Sequence, residues 1–214
     1  MEFRVLGPLE ARRDGDAIDL GAYRRRSLLA LFLTAPNTVL STDRIIDALW
    51  GDSEGDRQKA LWVHISGLRS AREPDRKKRT DGTMLLTRSP GYVLRVPPES
   101  IDAERFERQV DAGRATLEAD PAAAAALLRD ALALWRGSPF ADFEYEQFAQ
   151  PEIARLEALR LEAIGARIEA DLRCGRTREL VRELESLVRL HPLREELTGQ
   201  LMVALYRSGR QADA

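Results

Sequence analysis

The feature that most constrains the fold is a seven-residue segment that occurs twice near the C-terminal end. Residues 170–176 are Ala-Asp-Leu-Arg-Cys-Gly-Arg, and residues 204–210 are Ala-Leu-Tyr-Arg-Ser-Gly-Arg. The copies lie 34 residues apart, which is the period of a tetratricopeptide helix pair. Because each pair buries its apolar face against the next, this spacing predicts a packed array of helices. Such arrays are usually scaffolds, so the residues that carry function are expected upstream, in residues 1–97.

The composition is that of a globular protein, with 44% apolar and 32% charged residues in a chain of 214. No apolar run approaches the roughly 18 residues that a membrane-spanning helix needs. Glu2 and Arg4 follow Met1 directly, without an apolar leader of secretory type. We therefore expect a cytoplasmic protein. The single Cys174 can form no internal disulfide and is expected to be a small buried residue.

The charge differs between the two halves of the chain. Residues 1–97 hold 17 Lys and Arg against 13 Asp and Glu, whereas residues 98–214 hold 16 against 22. The consecutive prolines Pro97 and Pro98 mark the boundary, which predicts two domains, 1–97 and 98–214. A basic part joined to an acidic helical part is typical of a nucleic-acid binding domain that carries an interaction module.

The N-terminal half alternates strand and helix patterns. Short apolar segments around Gly7-Pro8 and Asp14-Gly15 predict antiparallel strands with tight turns. The apolar spacing then predicts three helices, over residues 22–34, from the N-cap Ser41 to Gly51, and over residues 57–72. Two strand-like runs, 83–88 and 92–96, predict a hairpin around Ser89-Pro90-Gly91. Three helices followed by a hairpin is the order of a winged helix-turn-helix domain, whose third helix enters the DNA major groove.

The C-terminal half is predicted to be entirely helical. Helices are expected to begin at Asp102, after Asp120, at Pro151 and after the cap Thr177. The alanines at 122–126 are expected to form a close-packed helix surface. A further helix is predicted to start at Arg210, so we expect that the sequence belongs to a longer protein or that another segment covers this end.

The third helix is predicted to have a packing face and a DNA face. Leu61, Ile65 and Leu68 form the packing face. Trp50, Trp62 and Trp135 are ordinarily core residues, but Trp62, beside Leu61, has the alternative of being partly exposed and packing on the N-terminal sheet. Cations suit phosphates, Val63 suits a thymine methyl group, and Ser66 suits several base edges. The candidate DNA-binding residues of this helix are Lys59, Val63, His64, Ser66, Arg69 and Ser70. Candidates outside it are Arg24, Arg25 and Arg26 at the first helix, Arg76 and Lys77 in a basic run, and Arg88 at the hairpin turn.

Several motifs resemble a known family. Leu28-Leu29-Ala30-Leu31, and the segments 47–52, 63–69 and 89–92, resemble an OmpR-type winged helix. Segments 102–106, 131–137 and 202–210 resemble the bacterial transcriptional activation domain. The pair in this order resembles the antibiotic regulatory protein (SARP) family of transcription activators. The expected fold class is thus an α+β winged helix-turn-helix with a short antiparallel N-terminal sheet, followed by an all-α tetratricopeptide-like domain.

The resemblance implies that the protein binds direct repeats in promoters and recruits RNA polymerase, in control of a secondary-metabolite gene cluster. We also expect protomers to associate on DNA and the protein to lie at the nucleoid. The loop between the second and third helices is implied as a polymerase contact, and here it contains Asp52, Ser53, Glu54 and Asp56. The usual third-helix pattern of the family is Ser-Arg-Leu-Arg-Arg, whereas this chain has Ser-Gly-Leu-Arg-Ser at 66–70. Two cations are absent, which predicts weaker binding or an altered site.

Two other functions compete with transcription activation. A protein-interaction scaffold whose winged helix has lost specific DNA binding would account for Gly67 and Ser70. An enzyme has little support, because the sequence has no phosphate-binding glycine motif and no Ser/His/Asp set. His64 and His191 lie 127 residues apart and, with one distant cysteine, form no metal-ligand spacing. We therefore expect no catalytic residue, metal or cofactor.

Overall fold

The computed structural model describes residues 1–51, 56–72 and 84–214, without the side chains at 71 and 72. The chain forms two compact units. The first contains Met1–Arg105 and Trp135–Glu157, and the second contains Phe106–Leu134 and Ala158–Ala214. The division into domains after residue 97 stays a prediction. In the described part of the chain, no helix combines the length and apolar character needed to cross a membrane.

The first unit begins with a three-stranded antiparallel sheet. Strands β1 (Glu2–Arg4), β2 (Glu10–Arg13) and β3 (Asp16–Ala17) lie in the order β1-β2-β3. The predicted turn at Asp14 and Gly15 is confirmed, and both residues have positive φ, 53° and 95°. Two such residues between paired strands match the right-handed twist of a hairpin.

Three helices and a second small sheet follow. Their bounds are α1 (Tyr23–Leu33), β4 (Leu40–Ser41), α2 (Thr42–Trp50), α3 (Arg57–Arg72), β5 (Leu85–Arg88) and β6 (Gly91–Leu94). The helices and the hairpin are confirmed, but the sequence did not predict β4, which pairs with β6. A Cβ at Gly91 would lie 1.9 Å from the carbonyl oxygen of Leu40. Only glycine therefore allows β4 to approach the hairpin this closely.

Local capping fixes where α2 and α3 begin. The Ser41 hydroxyl accepts a hydrogen bond from the Arg44 N–H at 3.2 Å, as expected of an N-cap. The Asp56 carboxylate accepts one from the Lys59 N–H at 3.0 Å. Arg57 also donates to the carbonyl of Gly51 at 2.6 Å, which ties the start of α3 to the end of α2.

A buried carboxylate joins the first sheet to the next helix, α4 (Asp102–Thr116). Asp102 accepts hydrogen bonds from the N–H groups of Val5 at 2.7 Å and Leu6 at 3.2 Å. Burial raises the pKa of this carboxyl, although both N–H donors and Arg136 oppose the shift. Asp102 therefore provides hydrogen-bond acceptors for the two backbone N–H groups that follow β1.

The second unit is helical and contains the repeated segment. The remaining helices are α5 (Pro121–Leu132), α6 (Gln150–Arg173), α7 (Thr177–Leu190) and α8 (Glu195–Arg207). In both copies of the repeat a glycine with φ near 80°, Gly175 or Gly209, follows the helix. The Arg176 N–H bonds to the Asp171 carbonyl at 3.0 Å, and the Arg210 N–H bonds to the Leu205 carbonyl at the same distance. The repeat is therefore a helix C-terminal motif that recurs with the same hydrogen bonds.

Apolar side chains of α6, α7 and α8 form the core of this unit, including Ile168, Leu184, Leu197 and Ala204. Two predictions here were wrong. Cys174 is exposed, because it follows the last turn of α6 and begins the turn that Gly175 completes. Thr177 is the first residue of α7 and not its cap, since Arg176 has the cap position without a side-chain bond.

Candidate nucleic-acid interface

Helix α3 has one buried and one exposed face. Leu61, Ile65 and Leu68 are at most 1% exposed and pack into the first unit, as predicted. Burial of each such side chain stabilises the fold by about 1.5–3 kcal/mol. The exposed face carries Lys59, Trp62, Val63, Ser66 and Ser70. This surface is polar apart from two neighbouring apolar side chains and presents groups suited to phosphates and base edges.

Trp62 was expected to be either a core residue or partly exposed beside Leu61, and it is 72% exposed. It follows Leu61 by one residue, so it is rotated about 100° away from the packing face of the helix. Val63 beside it is 58% exposed. The sequence therefore named Val63 as a DNA-facing residue but gave its larger apolar neighbour no role on DNA. The one-residue offset from Leu61 is the sequence signal that places Trp62 on the same exposed face as Val63.

The hairpin β5–β6 lies against α3 through an arginine. Arg69 donates from Nε to the Leu85 carbonyl at 2.9 Å and from Nη2 to the Thr87 hydroxyl at 3.0 Å. Arg88, at the end of β5 beside the turn, is exposed and donates to the carbonyl of Thr87 at 3.0 Å. Arg69 thus braces the hairpin, whereas Arg88 presents its charge to solvent.

The structure separates the three consecutive arginines at the start of α1. Arg24 donates to the carbonyl of Leu49 at the end of α2. Arg26 forms an ion pair with Asp142 at 2.6 Å and lies 6.0 Å from the ring centre of Phe143. The sequence placed all three at a backbone phosphate, but two of them contact other parts of the first unit.

Arg25 lies against α3. A Cβ at position 67 would be 2.7 Å from both Nε and Cζ of Arg25. A Cβ at Gly21 would be 2.8 Å from its Nη1. Nε of Arg25 is buried and has no hydrogen-bond partner among the residues that the structure describes. From the sequence pattern, Gly67 indicated only a missing cation and had no connection with Arg25.

His64 belongs to α3, and its ring stacks on that of Trp50 at the end of α2 with 6.0 Å between ring centres. Burial lowers the pKa of this imidazole below its ordinary value of 6.5, and the charges of Arg25 and Arg24 lower it further. His64 is therefore neutral at pH 7 and adds no positive charge to this surface.

Some candidate residues lie outside the described residues. These are Arg76 and Lys77 of the basic run and Asp52, Ser53 and Glu54 of the loop between α2 and α3. Asp56, the remaining loop candidate, caps α3.

Two family matches cover most of the chain. Residues 15–94 match the family described as transcriptional regulatory protein, C terminal. Residues 101–214 match the bacterial transcriptional activator domain. The chain belongs to the SARP family of transcriptional regulators. Its fold is a winged helix-turn-helix followed by a tetratricopeptide-like helical domain.

Individual relatives agree with this membership. The chain is 37% identical to the regulatory protein AfsR of Streptomyces coelicolor over 217 residues, all of this chain but 21% of the relative. It is 34% identical to the regulatory protein DnrI of Streptomyces peucetius, of which it covers 80%. The solved structure of Mycobacterium tuberculosis EmbR in complex with a low-affinity phosphopeptide has a TM-score of 0.91 at 32% identity. That match covers 99% of this chain and 56% of the EmbR chain.

Proposed function

We propose that this protein is a sequence-specific DNA-binding activator of transcription. The observation that carries the proposal is the exposed polar face of α3 on a winged helix whose hairpin ends in the exposed Arg88. In this arrangement α3 enters the major groove, where Lys59 contacts phosphate and Ser66 and Ser70 bond base edges. Arg88 contacts the adjacent DNA backbone.

The proposed target is a direct repeat in the promoters of a secondary-metabolite gene cluster. Two protomers bind the repeat head to tail, and each inserts one α3. This arrangement does not require a two-fold symmetric dimer in solution. Because the second half-site is bound at high effective concentration, two weak half-sites together give tight binding.

The first experiment measures the affinity of the full chain for DNA upstream of its own and neighbouring genes, at about 100 mM salt. Gel shifts with a scrambled sequence of the same composition give the specific component. We expect a footprint over two repeated half-sites and at least a tenfold loss of affinity when one half-site is scrambled. Equal affinity for promoter and scrambled DNA would overturn the proposal.

We further propose that the loop between α2 and α3 contacts RNA polymerase through its acidic residues Asp52 and Glu54. The double variant Asp52→Asn/Glu54→Gln is expected to keep its DNA affinity and lose most run-off transcription from a bound promoter. Asp43→Asn, an exposed acidic residue on α2, is the matched control and should leave transcription unchanged. Full transcription by the loop variant would exclude this contact.

A scaffold remains the second candidate, because Arg24, Arg26 and Arg69 all contact other residues of the same unit. A winged helix whose cations are engaged internally has fewer to offer to phosphates. The scaffold predicts a stable protein complex and no salt-dependent DNA binding by the native chain. Under that hypothesis, the double variant Gly67→Arg/Ser70→Arg binds DNA although the native chain does not.

A further inference from the structure

The Arg25 guanidinium of the candidate interface packs against two glycines. The Arg25 side chain runs from α1 between Gly21 and Gly67, and a Cβ at either position would lie within 2.8 Å of its guanidinium atoms. At Gly21 the backbone has a φ of 75°, and its N–H donates to the Asp19 carboxylate at 2.7 Å, which fixes the turn before α1. We call the space between these glycines the Arg25 slot.

Within the part of the chain that the structure describes, the charge of Arg25 has no counterpart. Arg24 donates to a backbone carbonyl and Arg26 pairs with Asp142, but no described residue forms an ion pair or hydrogen bond with the Arg25 guanidinium. Buried polar atoms in proteins are nearly always bonded, so an unbonded Nε requires an explanation. An arginine that packs against two glycines and has no partner among the described residues is suited to a phosphate group.

The surroundings also favour an anion. Helix α1 begins after Ala22, which supplies no side-chain cap. The Arg25 N–H bonds the Ala22 carbonyl at 2.9 Å, whereas the N–H groups of Tyr23 and Arg24 have no partner among the described residues. The partial positive charge of a helix N-terminus attracts phosphate. Burial lowers the pKa of His64 on the flank of α3, and the nearby positive charge of Arg25 lowers it further.

We propose that Arg25, held in this slot, binds a DNA backbone phosphate beside α3, and that Gly67 is glycine because Arg25 occupies the space of its side chain. This inference rests on the proposed DNA binding. It gives Gly67 a positioning role, whereas the sequence pattern indicated only a missing cation. Arg25 of α1 then supplies the positive charge that a glycine at position 67 lacks.

The test is a double-mutant cycle on the full chain, with affinity for the footprinted promoter DNA measured from 50 to 300 mM salt. Arg25→Ala is expected to lower affinity about tenfold near 100 mM salt and to reduce the salt slope by about one unit. Gly67→Ala is expected to lower affinity in the native background, since its methyl group displaces the guanidinium. In the Arg25→Ala background Gly67→Ala should leave affinity unchanged and raise the melting temperature, because alanine favours a helix.

Rescue and a charge control complete the cycle. Arg25→Ala/Gly67→Arg should recover both affinity and slope, because a cation returns to the same place from α3. Arg95→Ala removes an exposed charge beyond β6, at the opposite end of the hairpin from its turn, and should change the slope by less than half a unit. Equal effects of Gly67→Ala in both backgrounds, or an Arg25→Ala variant with native slope, would overturn the inference while native DNA binding stands. Absence of specific binding by the native chain would overturn the proposed function together with it.

Discussion

Arg69 of α3 and Thr87 of β5 are joined by a hydrogen bond of 3.0 Å, and the same guanidinium holds the carbonyl of Leu85 at 2.9 Å. Two donors of one planar group therefore fix the hairpin against the helix that is proposed to enter the groove. The sequence pattern predicts that this arginine contacts DNA, and that contact stays a prediction. Its contacts indicate in addition that it sets the position of the hairpin relative to α3.

Replacement of Arg69 by alanine is expected to lower the free energy of unfolding by about 1 kcal/mol, because both bonds lie at a partly exposed site. Thermal unfolding checks this. Arg69→Lys should not restore stability, since an ammonium cannot bond both acceptors in the plane of the guanidinium. Thr87→Val keeps the shape of the side chain and removes only the hydroxyl bond, so its loss should be smaller. A native melting temperature for Arg69→Ala with a reduced salt slope would instead place Arg69 on DNA.

Arg88 is expected to act on affinity and not on sequence preference. It is exposed beside the hairpin turn, and its described bond is to the backbone of Thr87. Arg88→Ala should therefore reduce the salt slope by about one unit and weaken binding to all sequences alike. Selection from a randomised half-site library measures the preference. A changed preference with an unchanged slope would show that Arg88 contacts bases.

The helices of this protein could be predicted from sequence because their ends are locally encoded. Ser41 caps α2, Asp120 accepts the N–H of Ala123 at 2.9 Å, and Gly175 and Gly209 end helices with the same hydrogen bonds. Each of these signals depends on residues within one turn of the helix end. The two-residue β4 has no such signal, because it exists only through its pairing with β6.

The roles of the arginines could not be predicted, because their partners are distant in sequence. Arg26 pairs with Asp142, and Arg25 lies against Gly67. A run of three cations indicates a positive surface, but the fold decides which charges are neutralised. The sequence could therefore predict the third helix, but it could not predict which arginines are engaged within the fold.

Trp62 is predicted to affect which DNA sequence is bound. Its side chain is 72% exposed, so Trp62→Ala should change the free energy of unfolding by less than about 0.5 kcal/mol. Apolar side chains on a groove-binding helix contact the methyl group of thymine. We expect the variant to lose preference at a thymine-containing position, as measured by selection from randomised DNA. Lys59→Ala, on the same face, should weaken binding without this change, and an unaltered preference for Trp62→Ala would exclude the contact.

His64 is predicted to titrate below 6.5 and to respond to Arg25. Burial is the first cause of its lowered pKa, and the charge of Arg25 is the next. Arg25→Ala should therefore raise the pKa of His64, as followed by NMR of the imidazole signals. Arg26→Ala is the matched control from the same turn of α1, and because Arg26 pairs with Asp142 it should leave the titration unchanged. Equal shifts in both variants would mean that the slot does not bring Arg25 close to His64.

Asp102 is predicted to make stability depend on pH in the acidic range. Burial raises its pKa in the folded state above the ordinary 3.8, so the folded protein binds this proton more tightly than the unfolded chain does. The stabilisation from this group is therefore fully present below about pH 3.8 and is lost as the pH rises through the higher folded pKa. Asp102→Asn retains one acceptor for the Val5 N–H but cannot titrate. The free energy of unfolding of the native chain minus that of this variant should decrease from pH 3.5 to pH 7, as measured by urea unfolding at each pH. A difference that increases with pH would show that the hydrogen bonds to Val5 and Leu6 outweigh burial and hold the carboxyl ionised.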